Sequence, residues 1–181
     1  MATVPAPVLA PYWPIVYVRG YAMTPAEIAD AVSSPYMGFN VGATKLRQAW
    51  DGQVRRHVFE SPLVRLMKDY GYRDIYTDGA EIVGPVPARS VVIYRYYDSA
   101  DPDLGGGKPL SIVAVAEGLH DLIHRLRVQV CGGDADALAA FKVHLVAHSM
   151  GGLVCRCFLQ NNSVSTPADR ALVDKVFTYA T

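Results

Sequence analysis

Cysteine is scarce, with three residues in a chain of 181. An odd, small number provides no disulfide framework and makes a reducing compartment the expectation. A surplus of either charge is also missing: 17 Lys and Arg balance 17 Asp and Glu, for a formal net charge of zero. A nucleic-acid binder needs a positive excess, and so does a polybasic membrane contact, so neither partner is expected. No apolar run approaches the length that spans a bilayer, so no transmembrane segment is expected. Met1 to Pro14 is proline-rich and uncharged, without the basic start and apolar stretch of a signal peptide. It reads as an extended arm leading into a first strand, and a cytoplasmic location is the resulting expectation. Charged residues make up only 19% of the chain, whereas apolar residues make up 51%, enough for a core in one domain or most of one.

Strands and helices alternate along the chain. Pro14-Ile15-Val16-Tyr17-Val18, closed by Arg19-Gly20, reads as a short buried strand. Thr24-Pro25-Ala26-Glu27 is a capping box with proline at the first helical position, so a helix starts there. Residues 33–58 carry Gly38, Gly42 and Gly52 with no sustained period, and read as an irregular insertion with a short helix around Thr44 to Trp50. Ser61-Pro62 opens a helix whose Leu63, Leu66, Met67 and Tyr70 recur at helical spacing, with Gly71 as its stop. Val91 to Tyr97 reads as a strand, Asp98 to Pro109 as a loop, and Ile112 to Leu126 as an amphipathic helix. Val143 to Val146 is a strand, Leu153 to Leu159 a helix, and Lys175 to Ala180 a strand again. This alternation predicts an α/β fold, a mostly parallel sheet with helices on both faces.

Chemistry is concentrated in Val143-His144-Leu145-Val146-Ala147-His148-Ser149-Met150-Gly151-Gly152-Leu153-Val154. An apolar strand runs into a serine flanked by small residues, and a helix follows at once. This is the nucleophile-elbow pattern, with Ala147 where the first glycine usually stands. A serine at the apex of so tight a turn leaves no room for bulk two positions away. Ala147 satisfies that demand on one side, and Gly151 and Gly152 on the other. The turn aims Ser149 out of the sheet and puts the Met150 N–H at a helix N-terminus, where it can stabilise an oxyanion.

Ala-His-Ser-Met-Gly-Gly after Val-His-Leu-Val resembles the lipase and esterase branch of the α/β-hydrolase superfamily. Two more segments match in order and spacing. Pro14 to Tyr21 resembles the strand and loop that supply the second oxyanion N–H, with Arg19-Gly20 in place of the usual His-Gly. By position that donor would be the backbone N–H of Tyr21 or Ala22. Lys175 to Thr181 resembles the strand after the nucleophile helix. The resemblance covers most of the chain outside residues 24–90 and implies an incomplete α/β-hydrolase fold, with residues 1–181 as the N-terminal portion of one domain. It implies acyl-ester cleavage, on a small-molecule or lipid substrate, through an acyl-enzyme on Ser149, with no metal or organic cofactor.

In this family the triad runs serine, acid, histidine along the chain, so the acid and the histidine are expected beyond Thr181. Without a base the serine is a weak nucleophile, and the 181 residues alone are expected to be inactive. The strand at Lys175 to Ala180 would then be an exposed apolar edge, open to pairing with another chain. Two alternatives stay open: an acyltransferase with the same nucleophile, and a non-catalytic hydrolase-like binding domain. The insertion at about residues 24–58 would be a lid at the acyl pocket, offering Tyr36, Met37, Phe39 and Trp50 as apolar surface, or an ordinary added layer.

Other residues that invite a role read better as structural. His148 adjoins Ser149, but neighbours in a tight turn point apart, so packing is favoured over a base. His144 lies within a strand. His120 and His124 have metal-ligand spacing on one helix, but no acidic residue completes a local His-Glu-x-x-His pattern, so they read as a surface pair. Cys155 and Cys157 suit packing, and Cys131 falls in a loop. Gly105-Gly106-Gly107-Lys108 has Pro109 where a phosphate loop needs serine or threonine. Asp98 ends the second main strand and caps a turn.

Overall fold

The computed structural model of the chain describes residues 12–20, 24–34, 36–39, 43–59, 61–77, 80–81 and 83–181. Most of the N-terminal arm and the two candidate oxyanion donors Tyr21 and Ala22 lie outside the described residues.

The first strand, β1 (Ile15–Val18), is buried at every position. Helix α1 (Pro25–Ser33) starts at the expected capping box, in which the Glu27 N–H donates to Thr24 Oγ1 and the Thr24 N–H to Glu27 Oε2. The short helix around Thr44 to Trp50 does not form. The segment is instead an antiparallel hairpin of β2 (Ala43–Gln48) and β3 (Val54–Phe59). Its turn explains the difference. The Ala49 N–H donates to the Gln53 carbonyl, the Gly52 N–H to the Ala49 carbonyl, and the Gln53 N–H to Asp51 Oδ1. Asp51-Gly52 is a hairpin signal, and it outweighs the weak helical spacing.

Helix α2 (Pro62–Tyr70) ends at Gly71 as expected. Three two-residue strands follow: β4 (Arg73–Asp74), then β5 (Tyr76–Thr77) paired with β6 (Ala80–Glu81). Strand β7 (Ser90–Ile93) is shorter than the aromatic run suggested, and Tyr96–Ala100 is a 3-10 turn. The cause is a tertiary clamp: the Arg95 guanidinium pairs with Asp98 at 2.9 Å and donates to the carbonyls of Val32 and Ser34 at 2.8 Å. Asp98 therefore neutralises Arg95 inside that turn rather than ending a strand.

Helix α3 (Ile112–Cys131) runs past Leu126, so Cys131 is a buried residue of its last turn and not a loop residue. The short α4 (Ala135–Ala140), capped by Asp134, was not legible in the apolar pattern. Strand β8 (Val143–His148), helix α5 (Gly151–Gln160), helix α6 (Pro167–Arg170) and strand β9 (Val173–Tyr179) complete the chain.

The main sheet has five strands in the order β4-β7-β1-β8-β9, and all four pairings are parallel. The fold is therefore α/β. Full burial of β1 and β7 means that both faces of the sheet centre are covered. Helix α3 packs along α5, and their buried positions (Leu119, Ile123 and Leu126; Val154, Cys155 and Phe158) join the strands in one core. By contrast β9 lies on the sheet edge with Val176, Phe177 and Tyr179 exposed, the apolar edge that the sequence predicted. Among the described residues no helix is long and apolar enough to cross a membrane.

Candidate active site at the end of strand β8

Parallel pairing aligns the C-terminal ends of β1, β8 and β9, and a candidate site gathers there. Leaving β8, the Ser149 N–H makes a last ladder bond to the Tyr179 carbonyl at 3.0 Å. The chain then reverses into α5, with Gly152 N–H on the Ser149 carbonyl at 2.9 Å. Ser149 pays for this turn with φ of +52°, a left-handed conformation that costs a residue with a Cβ about 1–2 kcal/mol. Thr181 Oγ1 donates to the Ser149 carbonyl at 2.9 Å and ties the end of the β9 segment to the same turn.

Close packing makes the turn possible. Ala147 is fully buried. A Cβ on Gly151 would collide with the Val18 carbonyl oxygen and lie 2.8 Å from that of Arg19. A Cβ on Gly20 would lie 2.5 Å from Ser149 Cβ and 3.0 Å from its Oγ. The loop after β1 thus runs directly beside the serine. Gly152 sits against the Thr181 side chain. Met150 is the N-cap of α5, and no described acceptor takes its backbone N–H. A half-buried hydroxyl, an N–H with no described acceptor and the positive end of a ten-residue helix therefore share one place. Such a group can stabilise a developing oxyanion.

Two contributors were not singled out from the sequence. Tyr96 donates its hydroxyl to the Arg19 carbonyl at 2.7 Å, and Tyr97 donates to the Gly20 carbonyl. They fasten the loop after β1 from the 3-10 turn. Burial pushes the Tyr96 phenol well up, with the neighbouring Tyr97 adding to it, so it stays a donor. The only hint in the sequence was three tyrosines, Tyr94, Tyr96 and Tyr97, within four positions. Buried tyrosines need partners for their hydroxyls. Arg19, at the position where histidine was expected, holds the Met37 carbonyl with its guanidinium. It thereby links the loop to the 36–39 turn.

A small apolar pocket opens beside the elbow, lined by Met150, Val154, Tyr97, Leu110, Ile112 and Val115 among others. Among the described residues, its lining includes none from the segment before β7. Of the four apolar residues singled out in that segment, Met37 is fully buried, Tyr36 and Phe39 pack against the core, and Trp50 is exposed.

Four histidines have described side chains, and each has other company. His148 stacks on Tyr179 with ring centroids 5.1 Å apart. Burial, with the Arg19 charge in support, holds its pKa below the ordinary histidine value. His144 faces Asp174 across 3.5 Å, and burial lowers its pKa as well. His120 and His124 are not simply a surface pair, because Asp169 joins them from another element, 2.9 Å from His124 Nε2. Burial alone would raise the Asp169 carboxyl. Hydrogen bonds from the Thr166 N–H and hydroxyl and from His124, with the charge of His120, bring it down to about 2.

The cysteines are thiols in packed surroundings: burial pushes Cys155 up to about 12 and raises Cys131. In the glycine loop, the N–H groups of Gly105 and Gly106 are taken by the Asp101 and Ser99 carbonyls, so they form no phosphate cradle. No protein-family model, no curated protein and no solved structure matches this chain.

Proposed function

We propose that the chain carries the nucleophile and oxyanion half of a serine hydrolase of the lipase or carboxylesterase kind, an α/β-hydrolase by resemblance. Ser149 Oγ attacks the acyl carbonyl, and its proton passes to a histidine base. The Met150 N–H and a second N–H, from Tyr21 or Ala22, receive the oxyanion. The Tyr97 hydroxyl on the Gly20 carbonyl holds the last described residue of the loop after β1, next to the serine. The tetrahedral intermediate collapses, the alcohol leaves with the proton held by the histidine, and water then releases the acyl group by the same route. The apolar pocket beside Met150 suits the acyl chain. By the resemblance, in which the acid and then the histidine follow the serine along the chain, the reading assigns the base and its acid to residues following Thr181 in the full-length protein.

The observation that carries this reading is Ser149 held at φ +52° between β8 and α5, beside an N–H that has no acceptor among the described residues. A strained, half-buried serine is a poor choice for a turn that does nothing else. The exposed apolar edge of β9 favours a second reading, a non-catalytic domain completed by a strand from another chain. A fluorophosphonate probe on the natural full-length protein separates them. Labelling that disappears in Ser149→Ala supports the hydrolase. A folded, unlabelled protein overturns it and leaves the binding domain.

A further inference from the structure

His120 and His124 stand one turn apart on α3, with ring centroids 4.4 Å apart. Asp169 of α6 reaches both: its Oδ1 lies 2.9 Å from His124 Nε2 and its Oδ2 lies 3.6 Å from His120 Nε2. One donor atom from each of the three residues lies within 4.8 Å of the other two. None of the three takes part in the elbow.

We propose that His120, His124 and Asp169 form a binding site for a divalent transition-metal ion, with zinc the ion it fits best. Two imidazole nitrogens and one carboxylate oxygen, completed by water, are a ligand set that zinc accepts and that magnesium and calcium do not favour. Bonds of about 2.0–2.1 Å at tetrahedral angles separate ligand atoms by roughly 3.3 Å. Asp169 Oδ1 and His124 Nε2, 2.9 Å apart, are close to that spacing, and the ligand atoms of all three residues lie within 4.8 Å of one another, so small side-chain rotations admit an ion.

The surroundings add two features found around bound metals. His120 Nδ1 lies 3.0 Å from Asp121 Oδ1, and a carboxylate there holds the proton on Nδ1 and leaves Nε2 free to coordinate. Asp169 Oδ2 accepts hydrogen bonds from the Thr166 N–H at 2.8 Å and the Thr166 hydroxyl at 2.7 Å, which fixes the carboxylate and leaves Oδ1 for the ion. The side chains of His120 and His124 are 28% and 38% exposed and that of Asp169 13%, so ions and completing waters reach the site from solvent. The ion would tie α6, the element that precedes the edge strand β9, to the long helix α3.

The test is equilibrium dialysis of the tag-free full chain, stripped with chelator, against zinc, with bound metal measured by mass spectrometry. One zinc per chain is expected, with a rise in melting temperature on adding zinc. Both should be lost, or binding weakened more than about tenfold, in His120→Gln and in His124→Gln. Circular dichroism of each variant checks that α3 is intact, and His120→Ala with His124→Ala gives a second pair should either glutamine variant misfold. Cobalt in place of zinc should give the visible absorption of a four-coordinate site, without thiolate charge transfer. A wild-type chain that takes up no zinc overturns the proposal. So do variants that bind zinc as tightly as wild type, or binding lost in Cys157→Ser. Acylation of Ser149 plays no part in the readout, so this proposal and the hydrolase reading fail independently.

Discussion

The elbow at the end of β8 and the hairpin β2–β3 both reverse the chain, and they do so by opposite means. At the elbow the backbone is strained, and neighbouring chain approaches so closely that Gly20 and Gly151 have no room for a Cβ. In the hairpin, Asp51-Gly52 provides an unforced turn, Trp50 is 97% exposed, and Leu46 and Val54 are each 66% exposed. The first turn is held in place by the core around it, and the second by its own ladder. Strain held in place by its surroundings is what the proposed role of Ser149 calls for, and the hairpin tip at Trp50 offers no counterpart to it.

The sharpest way to break this contrast is Gly151→Ala. Its Cβ would collide with the Val18 carbonyl, so a loss of about 3 kcal/mol or more is expected in urea denaturation. A near-neutral result would mean that the elbow has slack. Tyr97→Phe should have the next largest effect. Among the described donors the buried Gly20 carbonyl would keep the long 3.4 Å bond from Tyr96 alone, for a loss of about 1–2 kcal/mol and slower probe labelling of the full-length protein. Stability lost with labelling unchanged would separate the clamp from catalysis.

Ser149→Gly should move the other way, gaining about 1 kcal/mol while abolishing labelling, because glycine adopts φ +52° without penalty. A destabilised variant would show that the side chain contributes more than its strain costs. Trp50→Ala should be the smallest change, within about 0.5 kcal/mol in the same titration, since its ring is in solvent. A larger loss would show that the tip packs against something.

The two regions also differ in how readily the sequence declares them. The elbow was legible because its demands are local: a β-branched strand, small residues around one serine, then a helix. The hairpin reads in sequence as an irregular stretch with a helix, because its Leu46, Trp50 and Val54 are exposed and follow no clean period. The 3-10 turn at Tyr96 was misread for another reason. Tyr94 to Tyr97 has strand composition, but Arg95 is drawn away to Asp98 and to the end of α1, 61 residues earlier at Ser34.

Sequence alone determined the α/β class, the parallel sheet, the position of the serine and the exposed last edge. The class, the sheet and the serine follow from side-chain periodicity and from the steric limits of a few neighbouring residues, and the edge from the order of strands that the resemblance implies. Tertiary structure alone decided the tyrosine clamp on Arg19 and Gly20, the engagement of Arg95, and the meeting of His120, His124 and Asp169. Those arrangements join residues dozens of positions apart. The partner of a buried hydroxyl or an imidazole is chosen by which elements pack together, and nothing in the spacing along the chain records that choice.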